Sequence, residues 1–147
     1  MKSYSNLSLT AAPFVYTRLP IFKINIAVLS LLGIQILILA LSADLYALLN
    51  IVIAVMGVLF VENLLRYLAS SKFGLSIEMI ISGLLIGFFM PTGIGVIFVF
   101  ILSAFSVFIV KTVFGGTGRN WLNPVAFAVC AAYISRPEAF PPLISDF

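Results

Sequence analysis

A chain of 147 residues that is 63% hydrophobic and 9% charged cannot be a soluble globular domain, in which about 25% of residues carry charge. Its net charge of +3 does not mark a nucleic-acid binder, because the cations stand singly at the ends of apolar runs, and nucleic acid is excluded as a partner. The absence of histidine and the solitary Cys130 exclude disulfides, zinc sites, axial-histidine haem and cysteine-ligated iron–sulfur clusters within the chain.

The length suits one all-α membrane domain of about five transmembrane or half-membrane helices in a lipid bilayer. Residues 1–21 are polar and carry Lys2 and Arg18. They read as a cytoplasmic segment rather than a signal peptide, since the apolar run that follows is of full membrane length. The first predicted span is Ile24 to Ala43, free of charge and about 30 Å long as a helix. Asp44 marks a short loop. The second span runs from Leu45 to about Leu65 and is interrupted near its end by Glu62, after which Arg66, Ser70, Ser71, Lys72 and Gly74 make a polar connector.

The next apolar stretch, Met79 to Val110, is cut by Pro91-Thr92-Gly93. A single helix of that length would be about 48 Å long, well beyond the hydrocarbon thickness. A hairpin is therefore predicted, with a short third segment from Ile77 to Met90 and a fourth from Ile94 to Val110, ended by Lys111. A fifth short run, Trp121 to Ser135, holds Cys130, expected to be a small packing residue. The membrane domain is thus residues 22–136, and residues 137–147 form an external tail. With the N-terminus cytoplasmic, Lys2, Arg18, Lys23, Arg66, Lys72, Lys111 and Arg119 fall inside and only Arg136 falls outside, a strong positive-inside bias. The third and fifth segments are too short to span and each abuts Gly or Pro. Interrupted segments of this kind free backbone groups to face a site rather than lipid.

The densest polar stretch lies between the fourth and fifth segments: Phe114-Gly115-Gly116-Thr117-Gly118-Arg119-Asn120-Trp121-Leu122-Asn123-Pro124. Glycines at 115, 116 and 118 mark a tight loop that a ligand can approach closely. It feeds a helix N-terminus, where free N–H groups and the positive dipole end suit an electron-rich group. The alternative is a glycine-rich turn with an asparagine cap.

From Phe114 to Pro124 the chain resembles the signature of one family, the NqrB-type membrane subunit of the sodium-translocating NADH:quinone reductase with its RnfD-type counterpart in the Rnf complex. Those proteins carry F-G-G-T-G-R-N-F-L-N-P-A or the looser G-G-L-G-x-N-x-F-N-P-A. The match here has a single aromatic swap, at Trp121. Ala12-Pro13-Phe14-Val15-Tyr16-Thr17 resembles a shorter motif before the first span of the RnfD-type proteins.

The resemblance implies a fold of broken helices in two inverted repeats, like that of urea transporters, of which this chain covers the first. It implies a multi-pass subunit in the inner (plasma) membrane of a prokaryote, part of an ion-translocating, flavin-based electron-transfer complex. Other membrane subunits, including a missing second half, are the expected partners, with quinone left open. Asn120 and Asn123 match paired asparagines at a non-covalently bound riboflavin or FMN, where amides offer donors and acceptors without placing a charge in the bilayer. Gly115, Gly116 and Gly118 complete the expected cofactor-binding set. The family's covalent FMN sits on the threonine of an S-G-A-T-like motif, and no S-x-A-T occurs in this sequence, so that site is expected to be absent from this chain.

Glu62 occupies the place of a membrane-embedded glutamate linked to sodium entry, although the family's preceding glycine pair is Val58-Leu59 here. A carboxylate in an apolar run is costly and functional by default. Two readings stay open, an ion path and a plain i,i+4 pair with Arg66. Glu78 reads as an ordinary first-turn acid. The rival functions are a non-redox channel- or transporter-like half that dimerises, and a non-catalytic fragment.

Overall fold

The computed structural model describes residues 21–69, 74–113 and 122–141. Among these the chain forms five α-helices and no strand: α1 (Ile21–Leu41), α2 (Leu45–Leu68), α3 (Ile77–Phe89), α4 (Val96–Val113) and α5 (Pro124–Ser135). Single 3₁₀ turns lie at Thr92–Ile94 and Pro137–Ala139. The all-α expectation holds. Helices α1 and α2 are long and apolar enough to span a membrane. Helices α3 and α5, of 13 and 12 residues, are only about 20 and 18 Å long.

Local chemistry sets the boundaries. Asp44 caps α2, its Oδ1 accepting from the Ala47 N–H at 3.1 Å, and Ala43 before it takes the left-handed φ of 56° that turns the chain. The sequence predicts a first span from Ile24 to Ala43. Helix α1 starts earlier because apolar Ile21 and Phe22 continue the pattern, and it stops earlier because Ser42 and Ala43 form the turn. Helix α2 runs past Leu65 to Leu68, since Arg66 pairs back to Glu62 instead of ending the helix.

The predicted break between α3 and α4 is present, and its freed carbonyls are covered. Pro91 ends α3, and Gly95 takes a φ of 85°, which favours glycine. The buried Asn50 of α2, 2% exposed, donates from Nδ2 to the Pro91 carbonyl at 3.3 Å. Arg136, beyond α5, donates to the Ile94 carbonyl at 3.4 Å and lies 5.5 Å over the Phe98 ring. Each carbonyl is met by a side chain from another element.

Helix α2 is the centre of the bundle, packed mainly on α3 and α4, with α5 against α4 and α3 and with α1 at the edge. Lipid tails are as apolar as leucine, so helices in a bilayer gain from close backbone approach rather than from leaving water. The small residues sit where that approach occurs. Gly83 and Gly87 of α3 lie against the backbones of Val55 and Ile51, and Gly57 of α2 lies against Phe100 and Ser103 of α4. The main core joins Ala54, Val58, Ile86, Val99, Val107 and Ala128. A methyl group at Gly87 would run into the Ile51 Cα and lie 3.0 Å from its N. Gly87→Ala is therefore expected to destabilise the bundle by about 1–3 kcal/mol, read as a lower unfolding temperature in detergent. An unchanged transition would mean that α2 and α3 can part at no cost.

Cys130 departs from its expected packing role. The buried stripe of α5 is Pro124, Val125, Ala128 and Ala132, and this register turns Cys130 outward, where it is exposed.

Candidate functional site

A buried charged cluster joins α2, α3 and α4. Glu62 is 1% exposed. Its Oε1 accepts from Arg66 Nη2 at 2.6 Å and from Arg66 Nε at 3.2 Å, and Lys111 Nζ stands 3.3 Å from the same oxygen. The Ser76 hydroxyl lies 2.7 Å from Oε1 and 2.8 Å from Oε2, so its one proton serves either oxygen. A lone carboxylate at such a place would cost several kcal/mol in lost hydration; here three neighbours replace that hydration. One negative and two positive charges leave the cluster with a surplus of one positive charge.

The α2 side of the cluster is fixed to the connector that follows it. Asn63 Oδ1 accepts from the Gly74 N–H at 3.3 Å, while its Nδ2 donates to the Leu59 carbonyl at 3.0 Å. Gly74 also sits against Arg66, since a Cβ there would lie 2.8 Å from Nη1. Of the two sequence readings, the pair with Arg66 is present. Ser76 and Lys111 are partners that the sequence does not announce, and Lys111 reads there only as the end of a span. Glu78 lies in the first turn of α3 as expected.

These contacts also set the helix directions. Ser76, before α3, meets Glu62 near the end of α2, whereas Pro91, after α3, meets Asn50 near the start of α2. Lys111 in the last turn of α4 then places that end beside Glu62, and Arg136 after α5 returns to the start of α4. Arg66 and Lys111 thus share one end of the bundle and Arg136 occupies the other.

Of the loop residues singled out by sequence, Gly115, Gly116, Gly118 and Asn120 lie outside the described residues, as do Phe114 and Trp121. Asn123 is described. The helix expected to begin at Trp121 begins at Pro124, so Asn123 is not in its first turn but is its N-cap. Its Oδ1 accepts from the Val125 N–H at 2.9 Å, and Pro124 takes the first helical position, where no N–H is needed. Capping engages the oxygen of this amide and leaves the Nδ2 donor uninvolved in the cap. The loop's two stems, the end of α4 and the start of α5, both lie at the Glu62 end of the bundle.

An apolar groove of about 620 Å³ on the outer side of α2 is lined by Met56, Leu59, Phe60, Leu64 and Tyr67. Its lining contains no charged group and belongs to the lipid- or subunit-facing surface.

Residues 8–145 match the family described as NQR2, RnfD, RnfE, a match that takes in all five helices and the glycine loop. No curated protein and no solved structure matches the chain.

Proposed function

The chain belongs to the NQR2, RnfD, RnfE family, and from that premise we propose that its 114–124 loop binds a flavin non-covalently while Glu62 lies on a cation path. Family membership makes it a membrane subunit of an Rnf- or NQR-type ion-translocating complex that works with other subunits. One observation carries the finer reading. The last turn of α4 holds Lys111 against the buried Glu62 and leads directly into the glycine loop, so charge site and loop share one helix end.

The residues suit a flavin. Riboflavin or FMN relays one or two electrons when bound. The amides of Asn120 and Asn123 match the alternating donors and acceptors of an isoalloxazine imide edge, and the Asn123 Nδ2 can serve that edge while the oxygen caps α5. Gly115, Gly116 and Gly118 permit backbone approach, and Phe114 or Trp121 offers a ring for stacking. The covalent FMN of the family is assigned to a second half that completes the inverted repeat, since this sequence has no S-x-A-T.

The cation bias places the Glu62 end at the cytoplasmic face of a prokaryotic plasma membrane. Residues 1–21 are then cytoplasmic, 22–136 form the membrane domain and 137–147 are external. Sodium is the proposed ion by likeness to the reductase. Glu62→Gln with Arg66→Gln tests the ion role, because the pair of changes leaves the net charge of the cluster as it was. Reductant-driven uptake of radioactive sodium by the assembled complex in proteoliposomes is expected to fall to background. Full uptake would reduce Glu62 and Arg66 to a structural pair.

A further inference from the structure

We infer that Lys111 is the resident counter-cation of Glu62, which an incoming monovalent cation must displace to reach the carboxylate. This rests on the reading of Glu62 as an ion site and names the step that opens it.

Charge counting is the first ground. Two cations already neighbour one buried carboxylate, and a third would raise the surplus to two positive charges in a medium that screens them poorly. Binding therefore needs one cation to leave, and the exchange of one for one keeps the local charge constant.

Geometry decides which one leaves. Arg66 holds Oε1 through two nitrogens, at 2.6 and 3.2 Å, from one turn along the same helix, and the connector packs against its guanidinium at Gly74. A planar guanidinium held at two points gives up its partner reluctantly. Lys111 makes one contact at 3.3 Å, longer than the ~2.7–2.9 Å of a strong charged hydrogen bond. It comes from another helix on a flexible four-carbon stem, and its side chain is already 15% exposed. Such a side chain can swing its ammonium to the interface while its stem stays packed.

What remains after that swing suits a hard cation. The Ser76 hydroxyl oxygen lies 2.7 and 2.8 Å from the two carboxylate oxygens of Glu62, so three oxygen donors with one negative charge stand together. Because Lys111 lies in the turn that leads into the glycine loop, its displacement also gives ion binding a direct mechanical link to that loop.

The test is equilibrium binding of radioactive sodium to the full chain in detergent at constant ionic strength, with choline as the balancing cation. Lys111→Met is expected to lower the half-saturating sodium concentration at least about tenfold, equivalent to 1.4 kcal/mol. Lys111→Arg, whose forked group holds the carboxylate more firmly, is expected to raise it severalfold; this arm decides the matter if the methionine variant does not fold. Wild-type affinity in the folded Lys111 variants, with binding lost in Glu62→Gln plus Arg66→Gln, would overturn the role of Lys111 and leave the ion site standing. Wild-type binding in that double variant would overturn the ion site itself. Helix content by circular dichroism establishes folding in each case.

Discussion

Glu62→Leu is expected to destabilise the folded chain by about 3–5 kcal/mol, roughly two to three and a half decades in the folded-to-unfolded ratio. The cause is not the lost attraction alone. Arg66 and Lys111 would remain at the junction of α2, α3 and α4 with no counter-charge, and the Ser76 hydroxyl would lose both acceptor oxygens. Converting Glu62, Arg66 and Lys111 together to leucine is expected to recover most of that loss. A buried ion cluster replaced by apolar side chains of similar volume is often neutral or stabilising, whereas removing one partner leaves bare charge in a poor solvent. Unfolding of the purified chain in mixed micelles by a denaturing detergent gives both values. A single-variant cost below about 1 kcal/mol would mean that the cluster is hydrated like a surface pair. A triple variant no better than the single one would mean that the helices depend on the ionic contacts for their packing.

This asymmetry also separates stability from function. The apolar triple variant should fold yet lack a site for any cation, so the charges are retained for what they do rather than for the fold they permit.

Much of the architecture is legible in the sequence because its signals are local. Two charge-free runs of bilayer length announce α1 and the body of α2, and Pro91-Thr92-Gly93 announces the break, since proline removes a donor and the following glycines release the backbone. The Glu62–Arg66 pair follows from a spacing of four. Contacts between distant segments are not legible. Nothing about Asn50 indicates that it covers the Pro91 carbonyl, or about Arg136 that it reaches Ile94, until the helices are placed side by side. The same holds for Ser76 and Lys111 at Glu62. The sequence misplaces Cys130 because α5 is apolar on every face, so hydrophobicity carries no sign of which side is buried. Asn123 carries two meanings at once, cap and ligand amide, and the structure gives its oxygen to the cap.

That division of Asn123 shapes the second large effect, on flavin retention. Replacing it by leucine would remove the cap as well as the amide, at about 1 kcal/mol of helix stability, and would blur the result. Asn123→Ser keeps a capping oxygen and removes only the amide donor. Combined with Asn120→Leu it strips both directed amides from the loop and leaves α5 capped. Each neutral hydrogen bond lost costs about 0.5–1.5 kcal/mol, and more where a buried partner is left unpaired. Together the two changes should weaken retention at least about tenfold. The decisive measurement is flavin content per assembled complex after detergent washing, taken from absorbance and fluorescence. Other flavin sites in the complex are counted by comparison with Asn123→Ser alone and with wild type. The account predicts that the double variant assembles normally and loses about one non-covalent flavin per copy of this chain. Normal assembly with full flavin content would contradict it and leave the loop as a capped turn between α4 and α5.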